Sequence, residues 1–448
     1  MVFQNNVLSG AGGSGTTTYA IGQSIRFNDD DSAYLSRTPS SEGNRKKWTL
    51  STWFKLGNSG INNNFDGLFS AVTSASAFVT IWVNNATYNL DFIQYNGGTT
   101  YRVNTPLLTR DPAAWYHAVF VYDSGNSLST ERMRIYLNGL RVTDLYQEAQ
   151  PSLNYDSQVN ATSTLHNIGR AYSSGVYSTY YFDGYQTEIH LLDGYAYDPS
   201  FFGEFNDSGI WIPKEYTGSY GTNGFKIDGR DSSDLGDDES GNGNDYTTSG
   251  LASDDQQPDS PTNNHCTWNP IEAETLITYS NGNLAIAYSG NSARNMARST
   301  IQIPASTDAF FEMVMTSNLG SGVDFAIGIE DGTAQSDNSN SIYNNAYVIR
   351  EDGNFIDQSS SGSYGVSFTN TDVIGVWRKA NGDLVFYKNG TAMNSGTPAK
   401  TGLTGTMFFV AGPFNGASAE ARFASSKWTN KPSGVTDSMA LNTSNLGS

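Results

Sequence analysis

The chain has 448 residues, with 44 Asp and Glu against 25 Lys and Arg, for a formal net charge of −19. So negative a surface repels phosphate, which argues against nucleic acid and anionic membrane as partners. Charged residues are only 15% and aromatics 13%, with 46 Gly and 26 Tyr, a profile that suits short strands joined by polar turns and predicts an all-β protein.

The length allows two or three domains. A single cysteine, Cys266, cannot close an intrachain disulfide. No apolar run approaches the roughly 18 residues that a membrane helix needs, so no membrane insertion is expected. The opening MVFQNNVLSGAGGSGTTTY has neither a basic nor an apolar signal region, and synthesis in the cytoplasm is the expectation. Residues 1–18 are rich in Gly, Ser and Thr, with few apolar anchors. Two readings stay open: a disordered tail, or an attachment arm that orders on docking to a neighbour.

From Tyr19 a strand-forming segment, SIRFNDDDSAYLSR, is interrupted by Asp29, Asp30 and Asp31. Three adjacent carboxylates are a calcium candidate; a solvated turn with Asx hydrogen bonds is the plainer reading. WTLSTWFKLG and the two segments GLFSAVTSASAFVTIWVNN and YNLDFIQYNGGTTYRV alternate like strands, with Asn96-Gly97 as a hairpin turn. Between Ala114 and Val142 two alternating runs flank a polar loop. Trp115, His117, Val119 and Val121 share one face, and Tyr116, Ala118, Phe120 and Tyr122 the other. Met133, Ile135 and Leu137 likewise oppose Arg132, Arg134, Tyr136 and Asn138, and Asn138-Gly139 supplies the turn.

WYHAVFVYDSG followed by MRIYLNGLRV resembles the signature hairpin of laminin-G-like domains in the concanavalin-A-like lectin superfamily. Ile168–Ser200, with its FDG, resembles that family's closing segment, and the likeness spans residues 19–205. It implies a jelly-roll β-sandwich whose loops hold glycans. Within that segment Tyr172, Tyr177, Tyr180 and Tyr181 crowd together among small residues. A tyrosine offers a flat apolar face and a hydroxyl, which suits a sugar ring, so these four are the glycan-contact candidates; packing against the core is the alternative.

Residues 206–268 are rich in turns. Ten acids stand against Lys226 and Arg230 between Lys226 and Pro261, which reads as an acidic connector kept ordered by Trp211, Tyr216, Tyr220, Phe225 and Ile227. Its DDESGNGNDY is similar to a loop common in lectin-like sandwiches. Asp238, Ser240 and Asn242 alternate as in part of an EF-hand, and form a second calcium candidate. Ser249 stands where that loop wants a bidentate Glu, which favours a plain turn. Residues 269–428 are again strand-rich, and TDVIGVWRKANGDLVFYKNG (Thr371–Gly390) with FAIGIED (Phe325–Asp331) resembles SPRY-type β-sandwiches. The architecture expected is therefore two concanavalin-A-like sandwiches in tandem. The polar residues 429–448 are expected to form a loosely held tail.

No catalytic set emerges. Glycoside hydrolases of this superfamily carry two carboxylates at fixed spacing on one strand; TEIHLLDG keeps Glu188 but has His190 and Leu192 where its partners would stand. There is no G-x-S-x-G elbow, P-loop, H-E-x-x-H or C-x-x-C. The expectation is binding without catalysis. The order of segments, from SIRFNDDDSAYLSRTPSS through DSSDLGDDESGNGNDY to the SPRY-like part, resembles virion proteins of bacteriophages, particularly of marine phages. That resemblance implies a tail fibre or surface adhesin in the virion. It would be anchored to other virion proteins by its N-terminal arm and oligomeric, with a trimer as first guess, and would hold host surface polysaccharide. A capsid-decorating or connector protein without ligand, or a polysaccharide depolymerase, are the competing readings.

Overall fold

The computed structural model describes residues 19–57, 65–173, 180–272, 276–289, 296–317, 324–332, 346–358 and 360–446. The chain divides into two compact units, Met1–Asn264 and His265–Ser448. Both are built from strands, as the composition predicts.

In the first unit the strands are β1 (Ser24–Phe27), β2 (Tyr34–Arg37), β3 (Lys47–Leu56), β4 (Phe65–Ser74), β5 (Ala77–Asn84) and β6 (Asn89–Asn96). They continue as β7 (Thr99–Asn104), β8 (Tyr116–Asp123), β9 (Met133–Leu137), β10 (Leu140–Arg141), β11 (Gln147–Ala149), β12 (Leu165–Ile168) and β13 (Gly184–Asp193). Short strands follow at β14 (Gly203–Phe205), β15 (Trp211–Pro213), β16 (Phe225–Ile227), β17 (Thr247–Ser249) and β18 (Gln256–Gln257). The first sheet runs β10-β9-β8-β3-β13-β1-β18, with β16 also on β13; the second runs β11-β7-β6-β5-β4-β12-β2-β17. Trp48 and Phe120 of the first sheet pack edge-on against Phe92 of the second, with ring centroids 5.4 and 6.0 Å apart. This apolar layer is what holds the sandwich together.

The period of two in residues 114–142 is seen in β8 and β9, paired Ala118 to Leu137 and Tyr122 to Met133. Tyr116, Ala118, Phe120 and Tyr122 face the core between the sheets. The other face is not solvated: Val119, Val121 and Tyr136 pack under Phe202, Tyr216 and Tyr220. Asn138 and Gly139 both take positive φ, 46° and 80°, as a tight hairpin turn requires. Gly139 is doubly constrained, because a Cβ there would lie 2.3 Å from the Trp211 ring. The earlier hairpin is centred one residue later than the sequence predicts: Asn96 still pairs with Thr99, and Gly97 and Gly98 carry the positive φ.

Residues 206–264 are part of the first sandwich rather than a connector beyond it. β16 pairs with β13, β17 with β2 and β18 with β1. Asp259 accepts from Lys55 Nζ at 2.8 Å and from the Trp115 indole at 2.9 Å, pinning the end of the segment to the first sheet. The physical reason is the apolar outer face of that sheet, which needs a cover that Trp211, Tyr216 and Tyr220 of this segment provide, beside Phe202.

In the second unit one sheet joins Ile277–Ser280, Ala285–Tyr288, Ser418–Arg422, Ala309–Ser317, Val373–Arg378, Leu384–Lys388 and Thr391–Ala392 in that spatial order. The other joins Ala297–Arg298, Phe408–Pro413, Phe325–Glu330, Ala346–Arg350, Asn354–Asp357 and Ser360–Ser363. The two segments that resemble SPRY domains thus lie in opposite sheets around one core. The C-terminal residues are tied down, not loose. The buried Glu312 carboxylate accepts the backbone N–H of Thr429 and Asn430, each at 2.8 Å, and Val435, Ala440 and Leu441 are buried. Among the described residues, no helix is long and apolar enough to cross a membrane.

Candidate functional site

The outward face of β5, β6 and β7 is where sequence and geometry depart from a solvated sheet. Val79, Ile81, Val83, Leu90, Phe92 and Val103 point to the core. The alternate positions form three cross-strand rows: Phe78, Tyr95 and Thr100; Thr80, Ile93 and Arg102; Trp82, Asp91 and Asn104. Large apolar and aromatic side chains there need a cover or a ligand. Part of the cover comes from residues 170–173 and 180–181: Ala171 N–H donates to Tyr180 O at 2.8 Å and Tyr172 N–H to Thr80 Oγ1 at 3.2 Å.

A groove of about 470 Å³ remains, floored by this face and walled by Phe65 and Tyr180. That volume is in the range of small-molecule sites. At one end the Tyr180 ring stacks on Trp82 at 5.6 Å with an interplanar angle of 22°, and Phe65 lies 4.4 Å from Trp82. At the other end Tyr95 stacks on Phe78 at 5.1 Å, and Tyr172 meets Phe78 edge-on at 5.2 Å. Between them lies a polar anchor. Asp91 is wholly buried and accepts from Trp82 Nε1 at 2.9 Å, from Arg102 Nε and Nη2 at 2.6 Å each, and from the Asn104 amide. Asn89 braces Asn104 in turn, at 2.7 Å. The aromatic rings and the Arg102 fork are therefore held in place before any ligand arrives.

The tyrosines named from the sequence divide between places. Tyr172 and Tyr180 pack onto this face. Tyr181 packs on Tyr34 of β2 at 6.1 Å, beside the Arg170 guanidinium 3.4 Å above the Tyr34 ring, and Tyr177 lies outside the described residues. The groove floor was missed. Its signal was in the sequence all along: Phe78, Trp82, Ile93 and Tyr95 occupy the positions of alternating strands where polar residues belong.

The two acidic stretches are separate in use. Asp29, Asp30 and Asp31 form a turn in which Ser32 N–H donates to Asp29 O at 3.0 Å and Asn28 Nδ2 to Asp31 at 2.7 Å. Burial, then the neighbouring Asp30, raise the Asp29 carboxyl above its usual range. Burial, and then the charges of Asp183 and Asp29, raise Asp66 well above it. The Asp238 carboxylate accepts four donors: the backbone N–H groups of Lys226, Ser240 and Asn244 and the Ser240 hydroxyl, at 2.8–2.9 Å. Asn242 donates to Gly221 O and Gly224 O at 2.7 and 2.9 Å. Asp238, Ser240 and Asn242 thus serve as a scaffold for the turn that carries β16, with Ser249 ending β17. Among the described residues no three His, Cys, Asp or Glu side chains gather as a metal site.

Glu188 occupies a bulge in β13, with φ at 48°. That left-handed conformation is costly for a non-glycine residue, and here it turns the carboxylate inward. Glu188 meets Tyr19 Oη at 2.8 Å, Lys226 Nζ at 3.1 Å and His190 Nε2 at 3.0 Å. Burial opposes its charge, but His190, Lys226 and Tyr19 outweigh it and hold the carboxyl down at about 2.

The first unit has the fold of the concanavalin-A-like lectins, with an aromatic groove on one sheet. A family model described as the concanavalin A-like lectin/glucanases superfamily, Laminin_G_3, matches residues 28–196. Among curated proteins none matches the chain. Similar solved structures include the SPRY domain of human HERC1, at 14% identity and TM-score 0.28, covering 34% of this chain and 96% of that one. The native heptameric SAP-like pentraxin from Limulus polyphemus has 16% identity and TM-score 0.29, covering 40% and 80%. The Ruminococcus gnavus IT-sialidase CBM40, bound to alpha2,3 sialyllactose, has 13% identity and TM-score 0.28, covering 39% and 90%.

Proposed function

We propose that the first unit binds saccharide in the groove over β5, β6 and β7, without catalysis, and that the chain is a bacteriophage virion protein of tail-fibre or adhesin type that holds host surface polysaccharide. The observation that carries the reading is the row of rings, Trp82 and Tyr180 at one end and Phe78 and Tyr95 at the other, around the fixed Asp91–Arg102 pair. Sugar rings offer C–H faces to aromatics and hydroxyls to such polar groups. The match of residues 28–196 to a lectin superfamily supports it. Glu188, the carboxylate nearest in sequence to a glycosidase position, is charged and committed to three donors, so it does not itself supply the acid that protonates a leaving group.

The virion role is supported by the order of segments along the chain, and weak single-site affinity would call for several copies, a trimer first, anchored through residues 1–18. Incubating the purified chain with an array of bacterial surface polysaccharides, alongside Trp82→Ala, tests the groove. Retention by the parent and loss of at least tenfold in the variant is expected; a folded, assembled chain that retains no polysaccharide overturns the reading. Antibody labelling of purified particles tests the virion role: label at tail or capsid surface supports it, and particles free of the chain refute it.

A further inference from the structure

Resting on the reading of the groove as a saccharide site, we infer that its ligand is an acidic saccharide, bearing carboxylate or sulfate, and that Arg102 recognises the acid group. Arg102 is the charged side chain among those lining the groove, in a chain whose acids outnumber its bases 44 to 25. Among the described residues that line the groove, none is a carboxylate that would repel an anion. Asp91 lies beneath the guanidinium and is wholly buried, whereas the Arg102 side chain keeps 29% of its surface exposed.

The geometry of the pair matters more than its charge. Asp91 engages Nε and Nη2 of Arg102, at 2.6 Å each. A guanidinium has five N–H donors in a fixed fork, so the Nη1 edge, with the second hydrogen of Nη2, is left over. That edge matches two oxygens of a carboxylate or sulfate side by side. Because Trp82 and Asn104 already fix the Asp91 carboxylate that holds it, the fork loses little freedom when it binds. Ile93 is the cross-strand neighbour of Arg102, with the Phe78–Tyr95 pair in the row to one side and Trp82, stacked by Tyr180, in the row to the other. A pyranose stacked on those rings would carry its acid substituent to the guanidinium edge. A neutral sugar offers only hydroxyls there and leaves the cation without a counter-charge on its open side.

Affinity of the full chain for three oligosaccharides of equal length, alginate (carboxylate), carrageenan (sulfate) and dextran (neutral), tests this by calorimetry, with Arg102→Gln alongside. One or both acidic ligands are expected to bind at least tenfold more tightly than dextran, and which of them does so assigns the acid. In Arg102→Gln the preference for the acidic ligands over dextran falls below twofold, whatever the change in dextran affinity itself. Dextran binding as tightly as the acidic ligands, or an acidic preference that survives in the variant, overturns the inference and leaves the saccharide reading standing. No binding of any saccharide overturns that reading and the inference with it. Should Arg102→Gln fail to fold, competition on the parent chain decides: glucuronate or sulfate displaces the ligand where glucose does not, and equal failure of both anions to compete refutes the assignment.

Discussion

Trp211 donates its indole N–H to Nδ1 of His117 over 3.0 Å. An indole nitrogen only donates, so Nδ1 accepts and the ring proton sits on Nε2, which faces Ser51 Oγ at 2.8 Å. The serine is therefore an acceptor, and His117 is in the tautomer that cannot take its proton. Burial also drives the His117 pKa down to about 3. Ser51→Ala should leave polysaccharide retention within twofold of the parent, and active-site-directed fluorophosphonate should label neither form. Labelling of Ser51 in the parent would refute the tautomer.

The buried histidines set an acid limit on the first unit. Burial lowers His117 to about 3 and His166 to about 4, against 6.5 when unfolded. As pH falls below 6.5 the unfolded chain takes up these protons and the folded one does not, so stability is complete above 6.5 and is lost on descent towards 4 and 3. Each histidine costs about 1.4 kcal/mol per pH unit across its window. Glu188, held at about 2, adds a further loss below its unfolded value of 4.5. Asp66, raised by burial, works in the opposite sense, so the test is by difference. In calorimetry between pH 7 and 5 the Tm should fall by several degrees more in the parent than in His166→Gln, about 2–4 degrees per kcal/mol, and equal changes contradict the burial.

Replacing Asp91 strands its donors. Asp91→Ala removes the acceptor for Trp82, Arg102 and Asn104 and leaves a guanidinium over an apolar floor. Breaking a buried pair from one side costs about 3–5 kcal/mol. Urea denaturation should show a loss of that size, whereas Tyr180→Ala, at a partly exposed wall, should cost under about 1.5 kcal/mol and weaken retention instead. Equal destabilisation by both would mean that the groove is a packing feature.

Deleting residues 429–448 should unfold or strongly destabilise the second unit. The deletion leaves the fully buried Glu312 with Arg422, 3.5 Å away, as its remaining charged neighbour, and uncovers the cluster of Phe310, Val385 and Tyr387. Protease digestion of the shortened chain should cut within residues 265–428 under conditions in which the parent resists. Equal resistance would make the terminal segment dispensable.

What could be read from the sequence was whatever repeats locally. Eight residues of β8 and five of β9 are enough to show a period of two, and Asn138-Gly139 announces its own turn. β16, β17 and β18 are two or three residues each, too short to show any period, and their partners β13, β2 and β1 lie from tens of residues to more than two hundred away. Residues 206–268 consequently read as a connector. The groove was hidden for a related reason. Phe65, Trp82, Arg102 and Tyr180 are spread over more than a hundred residues and meet only because β4, β5, β6 and β7 are neighbours. The tyrosine-rich segment hinted at one wall, and Asp91 read as an ordinary strand residue until its four donors were visible.

The chain enters and leaves the first sandwich at one spot. Ile21 donates to Thr262 Oγ1 at 3.0 Å and accepts from Ser260 and Thr262 hydroxyls at 2.7 and 2.8 Å, next to the β1–β18 pair. Tension along the polypeptide would thus load these hydroxyl bonds, the buried Asp259 anchor and the two-rung β1–β18 ladder in turn, ahead of any strand in the core.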